Sequence, residues 1–123
     1  MKGIAFLFFL VAALCVTIGM AWGIQMSASG NHTLSAAHAH LNLIGWVTMG
    51  LFGVYYHVVP DAAGKMLAKV HFGVAVAGVV IITPGIVQAV TERGETLAKV
   101  GSLLTLVSML IFLFTVVTNR VKA

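Results

Sequence analysis

The charged residues of this chain are so widely spaced that the intervals between them decide its class. None falls between Lys2 and Asp61, between Lys69 and Glu92, or between Lys99 and Arg120, and the last two intervals hold 22 and 20 residues. A helix needs about 20 apolar residues to cross roughly 30 Å of hydrocarbon. Each of these two intervals is therefore expected to be one membrane span, and the long first interval two. With 60% hydrophobic and 8% charged residues, a chain of 123 residues carries more apolar surface than a soluble domain of its size can bury.

The first interval divides at QMSASGNHTLS, Gln25 to Ser35, where Ser, Gly, Asn and Thr replace the aliphatics and favour a polar turn. The expected spans are Ile4–Ile24, Ala36–Val59, Val70–Val90 and Leu97–Thr118. They make an all-α bundle of four transmembrane helices, a single domain over residues 1–123, with no strand-period segment, low-complexity run or internal repeat. Lys and Arg in short loops are retained in the cytoplasm. Lys2, Lys65, Lys69, Arg120 and Lys122 fall on one side, against Arg93 and Lys99, accompanied by Glu92 and Glu95, on the other. Both termini are thus expected inside, as in a multi-pass protein of a bacterial inner membrane. The net charge of +4 follows from that topology and gives a nucleic-acid partner no support.

A cleaved signal peptide is the alternative for the first span, because Lys2 precedes an apolar run and GMAWG offers small residues after it. The run continues from Ile4 to Ile24, however, and Leu14 before Cys15 spoils a lipoprotein cleavage site. Cys15 is the only cysteine, so an intrachain disulfide is impossible. The sequence also lacks the C-x-x-C-H that attaches c-type haem.

The five histidines can then be placed by depth. His32 lies in the outer loop, His38 and His40 at the outer end of the second helix, and His57 and His71 near the inner ends of the second and third. From His40 to His57 a helix rises about 25 Å at 1.5 Å per residue, too far for the two groups to share a metal. His38 and His40 are two residues apart, so on an α-helix their side chains point about 200° apart. One small ion would be better served by i and i+3 or i+4. His-x-His instead suits a helix wedged between two separate cofactors.

The residues below each histidine agree with that division. Asn42, Gly45, Met49, Phe52 and Tyr56 follow His38 as a stripe of small, polar and soft groups; Ile44, Val47, Leu51, Val54 and Val58 follow His40 as an aliphatic wall. A large, flat, apolar cofactor with an axial imidazole fits both sides, which points to b-type haem with His38 and His40 as iron ligands. Asn42 lies on the haem-facing stripe, and Trp46, too deep for an interfacial belt, is a candidate to pack a cofactor edge. The plainer reading of His38 and His40 is an interhelical hydrogen bond or a position at headgroup level. His57 and His71 are secondary candidates that read more simply as interface residues, and His32 as a solvated side chain. Gly19 and Gly23 form a G-x-x-x-G suited to close helix packing. Pro84 predicts a kink at Thr83-Pro84-Gly85. Trp22, Tyr55 and Tyr56 read as interfacial anchors.

The stretch HAHLNLIGWVTMGLFGVYYHVVP, about one fifth of the chain, resembles the second helix of subunit I of the haem-copper oxidases, nearest the nitric oxide reductase branch. There a haem-ligating histidine opens a Gly- and aromatic-rich helix that ends in a similar Tyr-Tyr, Val-Pro stretch. It also resembles small four-helix bacterial membrane proteins described by the same similarity. Subunit I of that family has twelve helices in three arcs of four, and one helix carries a His-x-His whose histidines serve two haems. The resemblance therefore implies a homotrimer rebuilding the twelve-helix ring, with each haem held by His38 of one subunit and His40 of the next. It implies electron transfer or redox or gas sensing, with a quinone or a periplasmic carrier as partner. The chain lacks His-x-x-x-Tyr, adjacent His-His and an intramembrane Glu or Lys, so oxygen or nitric oxide reduction is not expected. The alternative functions are copper or zinc handling, or a cofactor-free accessory role in respiratory oxidase assembly; imidazole suits both ions, but a Met- or Cys-dense outer loop is missing.

The charge asymmetry makes a direct prediction. A reporter fused after Ala123 is expected to be active only in its cytoplasmic form. Activity of a periplasmic reporter there would invert the depth of all five histidines.

Overall fold

The computed structural model describes residues 1–121; Lys122, counted above among the basic residues of one side, lies outside the described residues. Helix α1 spans Gly3–Ser29. It runs past the expected end at Ile24 because Gln25 to Ser29, although polar, include no Gly or Pro. It stops at Gly30, whose φ of 67° is left-handed, a conformation glycine adopts without steric cost. Asn31 then closes the turn, its Oδ1 accepting from the Thr33 amide at 3.0 Å and the Thr33 hydroxyl at 2.7 Å.

The next helical run is continuous from Ser35 to Val58 but not uniform. It comprises α2 (Ser35–His40), a π-helical segment (Leu41–Thr48) and α3 (Met49–Val58). An ordinary α-helix was expected here, because a stripe of apolar residues does not distinguish i→i+4 from i→i+5 hydrogen bonding. The Thr48 hydroxyl donates to the Leu43 carbonyl, five residues back, at 2.9 Å, so the side chain follows the same wider spacing. The run ends at Val59, and Pro60 opens the short α4 (Pro60–Ala63) at the first helical position, where a missing amide costs nothing.

Helices α5 (Met66–Val90) and α6 (Thr96–Thr118) complete the chain. Helix α5 is a single element with Pro84, exposed, inside it. Helices α1, α5 and α6 are each long and apolar enough to cross a membrane. Leu14, Ile18 and Ile24 of α1 and Leu103, Leu110, Leu113 and Phe114 of α6 are exposed, an aliphatic coat suited to lipid. No strand occurs among the described residues.

Helix α1 packs on the π segment and α3, α5 touches α2 and the π segment, and α5 and α6 lie along each other. Lys65 Nζ donates to Asn119 Oδ1 at 2.7 Å, joining the start of α5 to the end of α6. Met1 to Ala5 border a cavity with His57 and Pro60. Lys2, Lys65, Lys69 and Arg120 therefore gather at one end of the bundle, and the Gly30–Leu34 turn lies at the other. Tyr56 departs from its expected role: it is 1% exposed and part of the core, whereas Tyr55 is half-buried.

Contact between α5 and α6 depends on glycine. A Cβ at Gly101 would sit 2.6 Å from the Ile82 Cα, and one at Gly85 would meet the Ala98 amide. Gly73, by contrast, has nothing within 4 Å. Gly101→Ala is expected to destabilise the bundle by about 1–3 kcal/mol through overpacking. Gly73→Ala should be neutral or stabilising by up to about 1 kcal/mol. Unfolding in mixed micelles by titrated sodium dodecyl sulfate measures both, and equal effects would refute the close α5–α6 approach.

Candidate functional site

His38 and His40 are two residues apart and face different surroundings. His38 is half-buried against α1, with its Nε2 2.9 Å from the Gly19 carbonyl and 3.2 Å from Asn42 Nδ2. A single Nε2 cannot donate to one and accept from the other. Were it unprotonated, two lone pairs would face each other across the shorter contact. The Nε2–H tautomer, donating to Gly19, is the consistent one. Asn42 then lacks a full set of partners, and its Oδ1 is buried without one. The Trp22 ring meets His38 edge-on at 5.9 Å between centroids. Gly19 and Gly23 make room for this arrangement: a Cβ on Gly19 would collide with the Asn42 side chain, and one on Gly23 would lie 3.2 Å from His38 Nε2.

His40 takes the opposite tautomer. Its Nδ1 lies 2.8 Å from the Ala36 carbonyl, one helical turn back, so Nδ1–H donates there. The Nε2 lone pair is left free on a half-exposed ring. A backbone carbonyl that fixes one ring nitrogen in this way is the usual support of a histidine that ligates through the other.

The two stripes read from the sequence separate in the same manner. Gly45, Met49, Phe52 and Tyr56, on the His38 side, are buried. On the His40 side Val47, Leu51, Val54 and Val58 are exposed, whereas Ile44 is half-buried against the core. The His38 face is thus filled by the chain's own packing, and the His40 face is open. Trp46 is half-buried with its ring 6.3 Å from that of Phe9, edge to face, so its contact within the chain is with α1.

Of the remaining histidines, His32 is exposed, and its carbonyl accepts from the Ser35 amide at 3.1 Å and the Ser35 hydroxyl at 2.7 Å. His57 is exposed at the basic end. His71 is 0% exposed, and its partner is Tyr56, with hydroxyl and Nδ1 2.8 Å apart. Ring centroids of Phe52, Phe8 and Phe112 stand 4.4, 5.0 and 5.8 Å from that of His71. His71 is therefore paired through Nδ1 alone, and its Nε2 is buried without a hydrogen-bond partner. Sequence reasoning placed both residues at the interface. Their pairing is visible only once α3 and α5 are docked, and no local spacing announces it.

No family model, curated protein or solved structure matches the chain. The likeness of residues 38–60 to an oxidase helix rests on those residues alone.

The Tyr56–His71 pair carries its own prediction. Tyr56→Phe leaves both His71 nitrogens unpaired and is expected to cost about 1–3 kcal/mol. His71→Leu should cost a similar amount, and the double variant less than the sum, with a coupling of about 0.5–3 kcal/mol. Additive losses in the same unfolding titration would show that the two side chains do not stabilise each other.

Proposed function

We propose that the protein is a b-type haem-binding membrane protein of four spans that serves electron transfer, with His40 as the primary axial ligand. The observation that carries this reading is the His40 tautomer. Its Nδ1–H is committed to the Ala36 carbonyl, and its Nε2 is presented beside an exposed aliphatic stripe suited to a flat apolar ring. The π-helical segment begins at the next residue, and such segments are frequent at functional sites. The resemblance of residues 38–60 to a haem-ligating oxidase helix supports the same cofactor.

In this reading the second ligand is His38 of a neighbouring copy in a homotrimer. That histidine must give up its hydrogen bond to the Gly19 carbonyl, a net loss of about 1 kcal/mol. Asn42 then steadies the ring from one turn away. Bound haem would supply a one-electron couple, and two axial imidazoles suit electron transfer or redox sensing better than gas activation. A quinone or a periplasmic carrier fits as partner. The cationic end holding Lys2, Lys65, Lys69 and Arg120 would face the cytoplasm of a bacterial inner membrane, with both termini inside.

The cofactor-free reading, an accessory subunit for oxidase assembly, draws on His38 being already paired within its own chain. Copper or zinc handling would need ligands converging from elsewhere, since no group of three or more His, Cys, Asp or Glu is gathered among the described residues.

An absorption spectrum separates these readings. The purified protein is expected to show a Soret band and sharp reduced α and β bands, which His40→Ala abolishes and His57→Ala leaves nearly unchanged. Co-expressed His38→Ala and His40→Ala chains, isolated through two tags, should regain about one low-spin haem per mixed trimer, because one junction in the ring keeps both ligands. A colourless protein grown with adequate haem would overturn the assignment.

A further inference from the structure

A cavity of about 470 Å³ opens at the basic end of the bundle, far along the second helical run from His38 and His40. Its walls come from residues 1–5, from Tyr56 and His57 at the end of α3, and from Pro60, Ala63 and Gly64. Ile4, Ala5, Pro60 and Ala63 give the lining apolar groups, and Lys2 and His57 give it polar ones. Asp61, the one acidic residue near this end, is exposed and does not line the cavity. Lys65, next to Gly64, is turned to Asn119, and Lys69 and Arg120 add positive charge to the same end.

The start of α1 adds a second demand. Lys2 is its N-cap and offers no side-chain hydrogen bond, and the first backbone bond there, from the Phe6 amide to the Lys2 carbonyl, is 3.3 Å long. The amides of Gly3, Ile4 and Ala5 precede it, and all three residues line the cavity. Free amides at a helix start attract anions. At a membrane boundary, the anion that arrives joined to apolar chains is a lipid headgroup.

We propose that this cavity binds the phosphate headgroup of an anionic phospholipid, with the Lys2 ammonium and the His57 ring at the phosphate and the glycerol region against Ile4, Ala5, Pro60 and Ala63. Cavity size suits a small polar group with apolar attachments. The surrounding cations favour an anionic over a zwitterionic lipid, and basic pockets between membrane helices recognise such headgroups. The site is independent of the haem assignment, which involves the opposite end of the second helical run.

Native mass spectrometry of the delipidated full-length protein tests this with phosphatidylglycerol and phosphatidylcholine of identical chains. Retention of phosphatidylglycerol in preference to phosphatidylcholine is expected. Lys2→Gln should weaken that retention about fivefold, as expected for one cation at a membrane surface. His57→Gln should also weaken it, while Lys99→Ala, at the other end, leaves it unchanged. Circular dichroism establishes that the variants keep their helix content. Equal retention of the two lipids, or loss with Lys99→Ala but not with Lys2→Gln, overturns the proposal. Displacement of phosphatidylglycerol by millimolar inorganic phosphate would identify a site for free anions and overturn it equally. Unchanged haem absorbance in Lys2→Gln would show that the two sites fail or stand separately.

Discussion

Hydrocarbon offers no hydrogen-bond partner, and most of the interior of this protein follows from that constraint. Each polar side chain in an apolar helix has to find its partner within the chain or bear the cost of desolvation. Several hydroxyls find theirs one turn back, Thr17 on Ala13, Ser102 on Ala98, Thr115 on Ile111 and Thr118 on Phe114, whereas Thr83 Oγ1 is buried without a partner. Imidazoles cannot do this so simply, because a neutral ring has one donor and one acceptor on opposite sides. His40 uses its own helix, His38 uses α1, and His71 uses Tyr56 on α3. The three solutions leave three different residues of unsatisfied chemistry: a free acceptor on an open surface, a contested contact beside Asn42, and an unpartnered Nε2 among phenyl rings.

Glycine is what lets the second of these solutions exist. A carbonyl in mid-helix normally serves only the amide four residues on, and side chains keep other groups at a distance. At Gly19 the missing side chain admits both Asn42 and the His38 ring to the backbone of α1. The same device recurs lower down, where a Cβ on Gly45 would lie 2.9 Å from the Cys15 side chain and one on Gly53 would lie 3.1 Å from the Ala5 carbonyl. The G-x-x-x-G of α1 therefore does more than bring two helices together. It also brings His38 Nε2 within 2.9 Å of the Gly19 carbonyl.

The helical character of the chain could be read from the charge intervals, because the distance between charged residues is imposed directly by membrane thickness. Helix ends were less legible where polarity and backbone preference disagree. Gln25, Ser27 and Ser29 suggested a loop, yet only Gly30 has the conformation that stops a helix. The π segment was hidden because Leu41, Ile44, Trp46 and Val47 satisfy either hydrogen-bonding pattern. The two faces of the second helical run differ in composition, but the sequence held no sign that α1 would occupy the His38 face. Tyr56 was misplaced for a related reason. A tyrosine near a span end usually anchors at the interface, and only the docking of α5, with His71 on its inner face, offers this one a buried acceptor.

His38 and His40 sit on the same short helix, α2, and their tautomers are opposite because one ring reaches along its own helix and the other reaches across to its neighbour. A group that recruits His40 disturbs only a side chain already turned outward, and the Nδ1–H to Ala36 bond persists. A group that recruits His38 must take Nε2 from the Gly19 carbonyl. Ligation at His38 is consequently linked to the α1 interface, whereas ligation at His40 is not. Because linkage is reciprocal, any partner that loosens α1 at Gly19 and Gly23 makes His38 a better ligand, and a tighter α1 contact makes it a worse one. The packing thus treats the two histidines unequally: the Nε2 of His40 is left open at the surface, whereas the Nε2 of His38 is held in a helix contact.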